Sequence, residues 1–174
     1  MRSSCVGLCN AVGVKFTEEQ KWSASAEQVL AVYLDANFWT GLTNLSATSS
    51  PEVLEIKKNS TTARVRLHYV LAVELPKEAS RFIDPNDVAW VEETTWSLSD
   101  MSAQVRFLAD QASGLLKAHA SAELTQHGSF ALRSIRGEVK VHIPLLGGRV
   151  EKVIVQGVQD HLREEAVAVQ GQLS

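Results

Sequence analysis

A chain of 174 residues, 45% hydrophobic and 21% charged, holds enough apolar material for one packed core and is short for two domains. A formal net charge of -3 supplies no positive field to draw in nucleic acid or an anionic membrane, so no nucleic-acid partner is expected. The longest unbroken apolar run, Val29 to Leu34, is far shorter than the roughly 20 residues of a membrane-spanning helix, so no transmembrane segment is expected.

Residues 1–13 read as a flexible tail ahead of a domain over residues 14–174. Arg2 excludes N-myristoylation, and a weakly apolar run broken by Asn10 makes a poor secretory signal. Cys5 and Cys9 are the two cysteines, four apart with no second pair or nearby histidine, which is not a zinc pattern. Thiol acylation of the tail stays open. The plainer expectation is a cytoplasmic domain that needs no disulfides.

From Val14 to Trp22 the chain alternates, with Val14, Phe16, Glu18, Gln20 and Trp22 on one face and Lys15, Thr17, Glu19 and Lys21 on the other. Ser23 or Ser25 can cap a short helix over Ala24 to Leu34, and Asp35 to Leu45 predicts a second short helix and a turn. Strands follow. Glu52 to Lys58 is read with Leu54 and Ile56 inward, then Val65, Leu67, Tyr69, Leu71, Val73 and Leu75 alternate with polar residues. Pro76 to Ile83 reads as a short helix, and Asp84-Pro85-Asn86-Asp87 as a turn. Val88 to Leu98 is a strand with Trp90, Glu92, Thr94 and Trp96 on one face, and Ala103 to Ala109 one with Val105 and Phe107 inward. After Gly114 a strand places Leu116, Ala118, Ala120, Ala122 and Leu124 together. His127-Gly128 turns into a last strand whose inward series includes Ala131, Arg133, Ile135, Gly137 and Val139. Beyond Pro144, Val150, Val153, Ile154, Val158, Leu162, Ala166, Val169 and Leu173 recur on one side of a helix roughly 35–40 Å long, with Arg149, Glu151, Gln159, Arg163 and Glu164 mostly on the other. A helix with so broad an apolar face needs a sheet to lie against.

The order is strand, two short helices, six strands, long helix. Three stretches carry a resemblance: Lys15 to Ala24, Asp84-Pro85 through Trp90-Val91-Glu92-Glu93-Thr94-Thr95-Trp96, and Ile143-Pro144-Leu145-Leu146-Gly147-Gly148-Arg149-Val150-Glu151. With the element order, they make the chain similar to the START-like (SRPBCC) superfamily, and within it to a bacterial branch of unknown function. The resemblance implies an α+β helix-grip fold: a curved antiparallel sheet of about seven strands wrapped around the C-terminal helix, with a cavity between them. It implies no single reaction, so no catalytic residue is carried over.

The expected cavity lining follows from strand parity and helix face. It takes Phe16 and Trp22 from the first strand, Leu67, Tyr69 and Leu71 from the third, and Trp90, Glu92, Thr94 and Trp96 from the fourth. Phe107, Ala118, Ala120, Ile135 and Val139 come from the last three strands, and Val150, Ile154 and Val158 from the helix. Small Ala118, Ala120 and Ala122 leave room on one wall, while the tryptophans read more plainly as ordinary core.

Glu92 is the most informative polar residue. Turned inward, it is a desolvated carboxylate with a raised pKa, able to act as acid or base. Turned out by a bulge or paired with an arginine, it is structural, and that reading is modestly preferred. Arg133 either meets a carboxylate or, the preferred reading, lies near its strand start and reaches solvent. Glu18 and Gln20 are expected at the open end of the sheet, and the Tyr69 hydroxyl either orients a ligand or satisfies a hydrogen bond. Gly147-Gly148-Arg149 opens the helix, where free amides attract anions, though a tight turn is the simpler role. The five histidines do not cluster, so neither metal nor other cofactor is expected. The sequence assigns no oligomeric state.

Three functions compete. Binding or transport of a lipid-like or polycyclic hydrophobic molecule leads, and requires a pocket of roughly 300–1,000 Å³. A cyclase- or hydratase-like enzyme would need Glu92, Tyr69 or Arg133 to converge on one point. A protein-interaction module would have a closed interior and an exposed apolar patch.

Overall fold

The computed structural model describes residues 13–82, 84, 88–110 and 114–174. The tail with Cys5 and Cys9 lies outside these residues, as does all of the Asp84 to Asp87 turn except Asp84. The elements are β1 (Val14–Trp22), α1 (Ala26–Tyr33), α2 (Ala36–Gly41), β2 (Glu52–Lys58), β3 (Thr62–Val70), a 3-10 turn (Lys77–Arg81), β4 (Ala89–Ser97), β5 (Ser102–Ala109), β6 (Leu116–His127), β7 (Phe130–Val141) and α3 (Gly147–Leu173). They form a seven-stranded curved sheet in the order β1-β7-β6-β5-β4-β3-β2, antiparallel throughout. Strands β1 and β2 are its two edges, and α1 and α2 carry the chain between them.

Local chemistry sets each boundary. Ser25 starts α1 with a capping box: its hydroxyl accepts from Gln28 N–H while the Gln28 side chain accepts from Ser25 N–H. Asp35 caps α2 by accepting from Asn37 N–H at 2.8 Å. Between β6 and β7, Gly128 takes a φ of 58° at the first turn position, which glycine adopts without strain.

Strand β2 departs from the expected pattern. The pairing with β3 shifts between Val53 and Glu55, so Val53 rather than Leu54 packs on the core, and Leu54 is 45% exposed. A bulge adds one residue to one strand and resets the faces beyond it, which strict alternation cannot anticipate.

The long helix α3 lies across the concave face of the sheet. Its start needs Gly147, where a Cβ would collide with the Val141 carbonyl. The end of β7 and the first turns of α3 are then tied together by Glu151, whose carboxylate accepts from Val141 N–H at 2.9 Å and lies 3.4 Å from Lys140 Nζ. Glu151, expected on the solvent side, is therefore buried. The same correction applies further along. The buried stripe runs through Gly157, His161 and Glu165, while Val153, Leu162 and Ala166 are half-buried. Apolar periodicity locates the face but not its centre, because the centre carries polar groups.

Candidate functional site

An internal chamber of about 80 Å³ separates α3 from the sheet. Its walls are apolar: Phe16 from β1, Phe107 from β5, Ala118 and Ala120 from β6, and Ile135 and Val139 from β7. The helix contributes Ile154, Gly157 and Val158. Gly157 sits close under the segments that precede β2 and follow β3, since a Cβ there would lie 3.2 Å from Val73 and 3.4 Å from Ala47. The chamber is far smaller than the roughly 300–1,000 Å³ expected of a ligand pocket. The alanines leave room, but the rings of Phe16, Trp90 and Phe107 line it from the facing strands and take up space.

One end of the chamber is polar. Tyr69 comes from β3, Glu92 from β4, Arg133 from β7 and His161 from α3, and all four line the space. Arg133 is 6% exposed, contrary to the expectation that it reaches solvent. It is buried because a partner waits on the helix: its Nη1 donates to Glu165 Oε1 at 2.7 Å and to Gln20 Oε1 at 3.2 Å. The Tyr33 hydroxyl donates to the same Glu165 oxygen at 2.9 Å, and the guanidinium stacks over the Tyr33 ring at 4.4 Å. Gln20 is buried in this cluster and donates to the Leu162 carbonyl, so it is not at the open end of the sheet. Glu18 instead forms a bidentate surface pair with Arg163, at 3.1 and 3.2 Å.

The charges of this end follow from their surroundings. Burial holds the His161 imidazole below its usual pKa despite Glu165 Oε2 at 3.8 Å, and Nδ1 shares a hydrogen bond with Thr48 Oγ1 at 3.1 Å. Burial, helped by nearby Glu92, pushes the Tyr69 hydroxyl well above its usual range, so it is a neutral donor. Glu92 faces inward without an arginine partner, which reverses the preferred structural reading. Burial and the Glu165 charge raise its carboxyl to about 7, while Arg133 and the Thr94 hydroxyl at 3.5 Å pull only partly the other way. Such a carboxyl exchanges its proton near neutral pH.

Among the described residues, Tyr69 Oη, Trp90 Nε1 and Arg133 Nε are buried with no hydrogen-bond partner. Tyr69 and Trp90 stack at 5.8 Å, and the His161 ring meets Tyr69 edge-on at 5.2 Å.

Of the remaining residues expected to line the cavity, Leu71 does so, while Trp22, Leu67, Thr94, Trp96 and Val150 do not. All five are buried. Trp22 donates its Nε1 to the Ala166 carbonyl at 3.0 Å, and Trp96 packs 6.1 Å from Tyr33. They face inward where α1 and α3 close over the sheet, so parity is correct but depth along the face is not encoded by it. Sequence reasoning missed Glu165 and, as a cavity residue, His161. The available signal was an inward-facing arginine, which demands a buried carboxylate, beside a His-x-x-x-Glu spacing on the helix. Among the described residues, no group of three or more His, Cys, Asp or Glu side chains is placed to hold a metal, and no helix is long and apolar enough to cross a membrane.

The fold is similar to that of several solved structures. TTHA0849 from Thermus thermophilus matches with a TM-score of 0.65 at 19% identity over 92% of this chain and 100% of that one. The ZhuI aromatase/cyclase from Streptomyces sp. R1128 matches with a TM-score of 0.63 at 14% identity, covering 91% and 92%. A START superfamily protein from Mycobacterium smegmatis matches with a TM-score of 0.54 at 13% identity, covering 92% and 99%. The chain therefore has the START-like helix-grip fold, and at these identities the likeness establishes the fold alone. No curated protein matches the sequence. A family model described as "Protein of unknown function (DUF2505)" matches residues 17–171, and the chain belongs to that family.

Proposed function

We propose that the protein binds a small hydrophobic molecule between the sheet and α3, with the guest's polar end held at Tyr69, Glu92 and Arg133. The observation that carries this reading is the set of unpartnered buried donors, Tyr69 Oη, Trp90 Nε1 and Arg133 Nε, beside the chamber's polar end. An unsatisfied buried donor costs about 1–3 kcal/mol, so a guest that accepts these hydrogen bonds recovers that energy. The chamber of about 80 Å³ is smaller than the roughly 150 Å³ of a cavity that takes benzene. Entry of even one ring therefore requires lining side chains to move apart. This size favours a single-ring guest over a lipid chain.

The test is a titration with one-ring alcohols and ketones, followed by the fluorescence of Trp90 and by heteronuclear NMR shifts. Saturable shifts confined to chamber residues are expected, and Ala120→Leu, which fills the space, is expected to abolish them. Absence of saturable binding across such a panel removes the proposal.

A second reading, acid–base conversion of the guest in the manner of a cyclase or hydratase, is favoured by Glu92 alone. Its carboxyl at about 7 is poised for proton transfer, and an aromatase/cyclase with the same fold offers a precedent. A reaction by this route requires turnover that titrates near pH 7 and is lost in Glu92→Gln.

A further inference from the structure

The charge balance at the chamber's polar end is uneven. Among the described residues, Arg133 is the single permanently cationic side chain lining the chamber, and Glu165 already meets its charge although its Nε has no hydrogen-bond partner. Its Nη1 is bonded to Glu165 and Gln20, and its face covers Tyr33 at 4.4 Å and lies 5.8 Å from the Trp96 ring centre. Glu165 cancels its charge at 2.7 Å. His161, held neutral by burial and bonded to Thr48, adds none. Glu92 is left over. Its contact is the Thr94 hydroxyl at 3.5 Å, a long and weak one, and no cation among the described residues pairs with it. Close by stand Trp90 and Tyr69, stacked together, whose ring faces are attractive to positive charge.

A carboxylate beside aromatic faces in an apolar chamber is the environment that recognises an organic cation. We infer that the guest is a hydrophobic amine: a compact apolar body carrying one protonated nitrogen, which pairs with Glu92 against the rings of Trp90 and Tyr69. This rests on the binding reading above and adds the guest's chemical class to it. The entry of a cation brings the chamber to neutrality. A carboxylate guest meets the opposite situation. Arg133 is already neutralised, so a second negative charge enters a low-dielectric space that holds Glu92 and Glu165 without a free counterion. A neutral alcohol or ketone can accept from the unpartnered donors of Tyr69, Trp90 and Arg133 Nε, which an amine leaves unmet, but an uncompensated carboxylate costs more than an unmet neutral donor, so pairing with Glu92 weighs more.

The selection depends on pH in a defined direction. The groups facing Glu92 are Thr94 on its own strand, Tyr69 on β3, Arg133 on β7, and His161 and Glu165 on α3. Of these Arg133 stays charged, Tyr69 stays neutral, and burial holds His161 toward its neutral form. Ionisation of Glu92 is therefore what turns the amine preference on as pH rises through neutrality.

The test uses three probes of one shape on the full chain: 4-methylbenzylamine, 4-methylbenzyl alcohol and 4-methylbenzoate. At pH 8 the amine is expected to bind at least tenfold more tightly than the alcohol, with the benzoate weakest. At pH 5.5 the ratio of amine to alcohol affinity is expected to fall several-fold, and Glu92→Gln is expected to remove its pH dependence. Calorimetry of the unmodified protein gives an independent readout. Pairing with an amine drives Glu92 to ionise, so binding releases protons, and more of them as the pH falls below neutrality. Equal affinities for amine and alcohol, tighter binding of benzoate, or amine binding without proton release overturns the inference while leaving guest binding intact. Failure of all three probes to bind overturns the binding reading and this inference with it.

Discussion

At the residue scale the molecule is governed by four ionisable side chains from distant parts of the chain: the buried Arg133, His161 and Glu165 and the half-buried Glu92. Arg133 and Glu165 form the pair at 2.7 Å with side-chain exposures of 7% and 3%. Removing one partner of such a pair strands the other, which costs more than the pair itself contributes. Glu165→Gln is therefore expected to destabilise the fold by about 3–5 kcal/mol in denaturant titration. Replacing both members with apolar residues of similar volume is expected to cost far less, and equal losses in the single and double variants would refute that account. Glu92 is the opposite case, a carboxyl whose protonated form the folded state favours relative to the unfolded chain. Its folded pKa of about 7 lies above the ordinary 4.5, so its contribution is fully present below pH 4.5 and is lost as pH rises through 7. The stability of the protein relative to Glu92→Gln is expected to decline by up to about 3 kcal/mol across that window. A flat difference between the two, from chemical denaturation at several pH values, would show that Glu92 is solvated.

At the element scale the junction between β7 and α3 decides where the helix lies on the sheet. Gly147 touches the Val141 carbonyl, Glu151 accepts from the Val141 amide, and Leu145 adopts a φ of 63° while its side chain is fully exposed. A β-carbon at position 147 must push the helix start away from β7. Gly147→Ala is expected to lower Tm by several degrees, whereas Gly148→Ala, where a β-carbon meets open space, is expected to be neutral or slightly stabilising. Similar shifts in the two variants would mean that close approach is not what position 147 requires. A comparable constraint sits inside the sheet, where the Phe16 ring lies over Gly137 on the paired strand. That arrangement lets a large side chain line the chamber from β1 without widening the sheet.

At the scale of the whole molecule, a sheet that curves around one helix leaves an interior that its own side chains do not completely fill. The alanine wall is the place where added side-chain volume would enter it. Ala120→Leu is expected to reduce the chamber with little loss of stability, and thermal melts should show a shift of no more than a few degrees. A collapse of Tm would mean that the space is already close-packed and that overpacking dominates.

Element order and inward faces are legible in the chain because strands and helices leave local periods there. The alternation through Val65, Leu67 and Tyr69, and that through Trp90, Glu92, Thr94 and Trp96, puts these side chains on the core side. All of them face it, Glu92 included, although a structural, outward Glu92 is the reading that sequence alone prefers. Three things were decided only in the folded structure. The β2 bulge moved Leu54 out, since register depends on a partner strand. Arg133 was buried rather than solvated, since Glu165 lies 32 residues away on another element. The chamber became small and polar at one end, since its depth and volume depend on where α1, α2 and α3 cross the sheet. A side chain's period is a property of its neighbours in sequence, whereas its partner and the space around it belong to residues that only tertiary packing brings close.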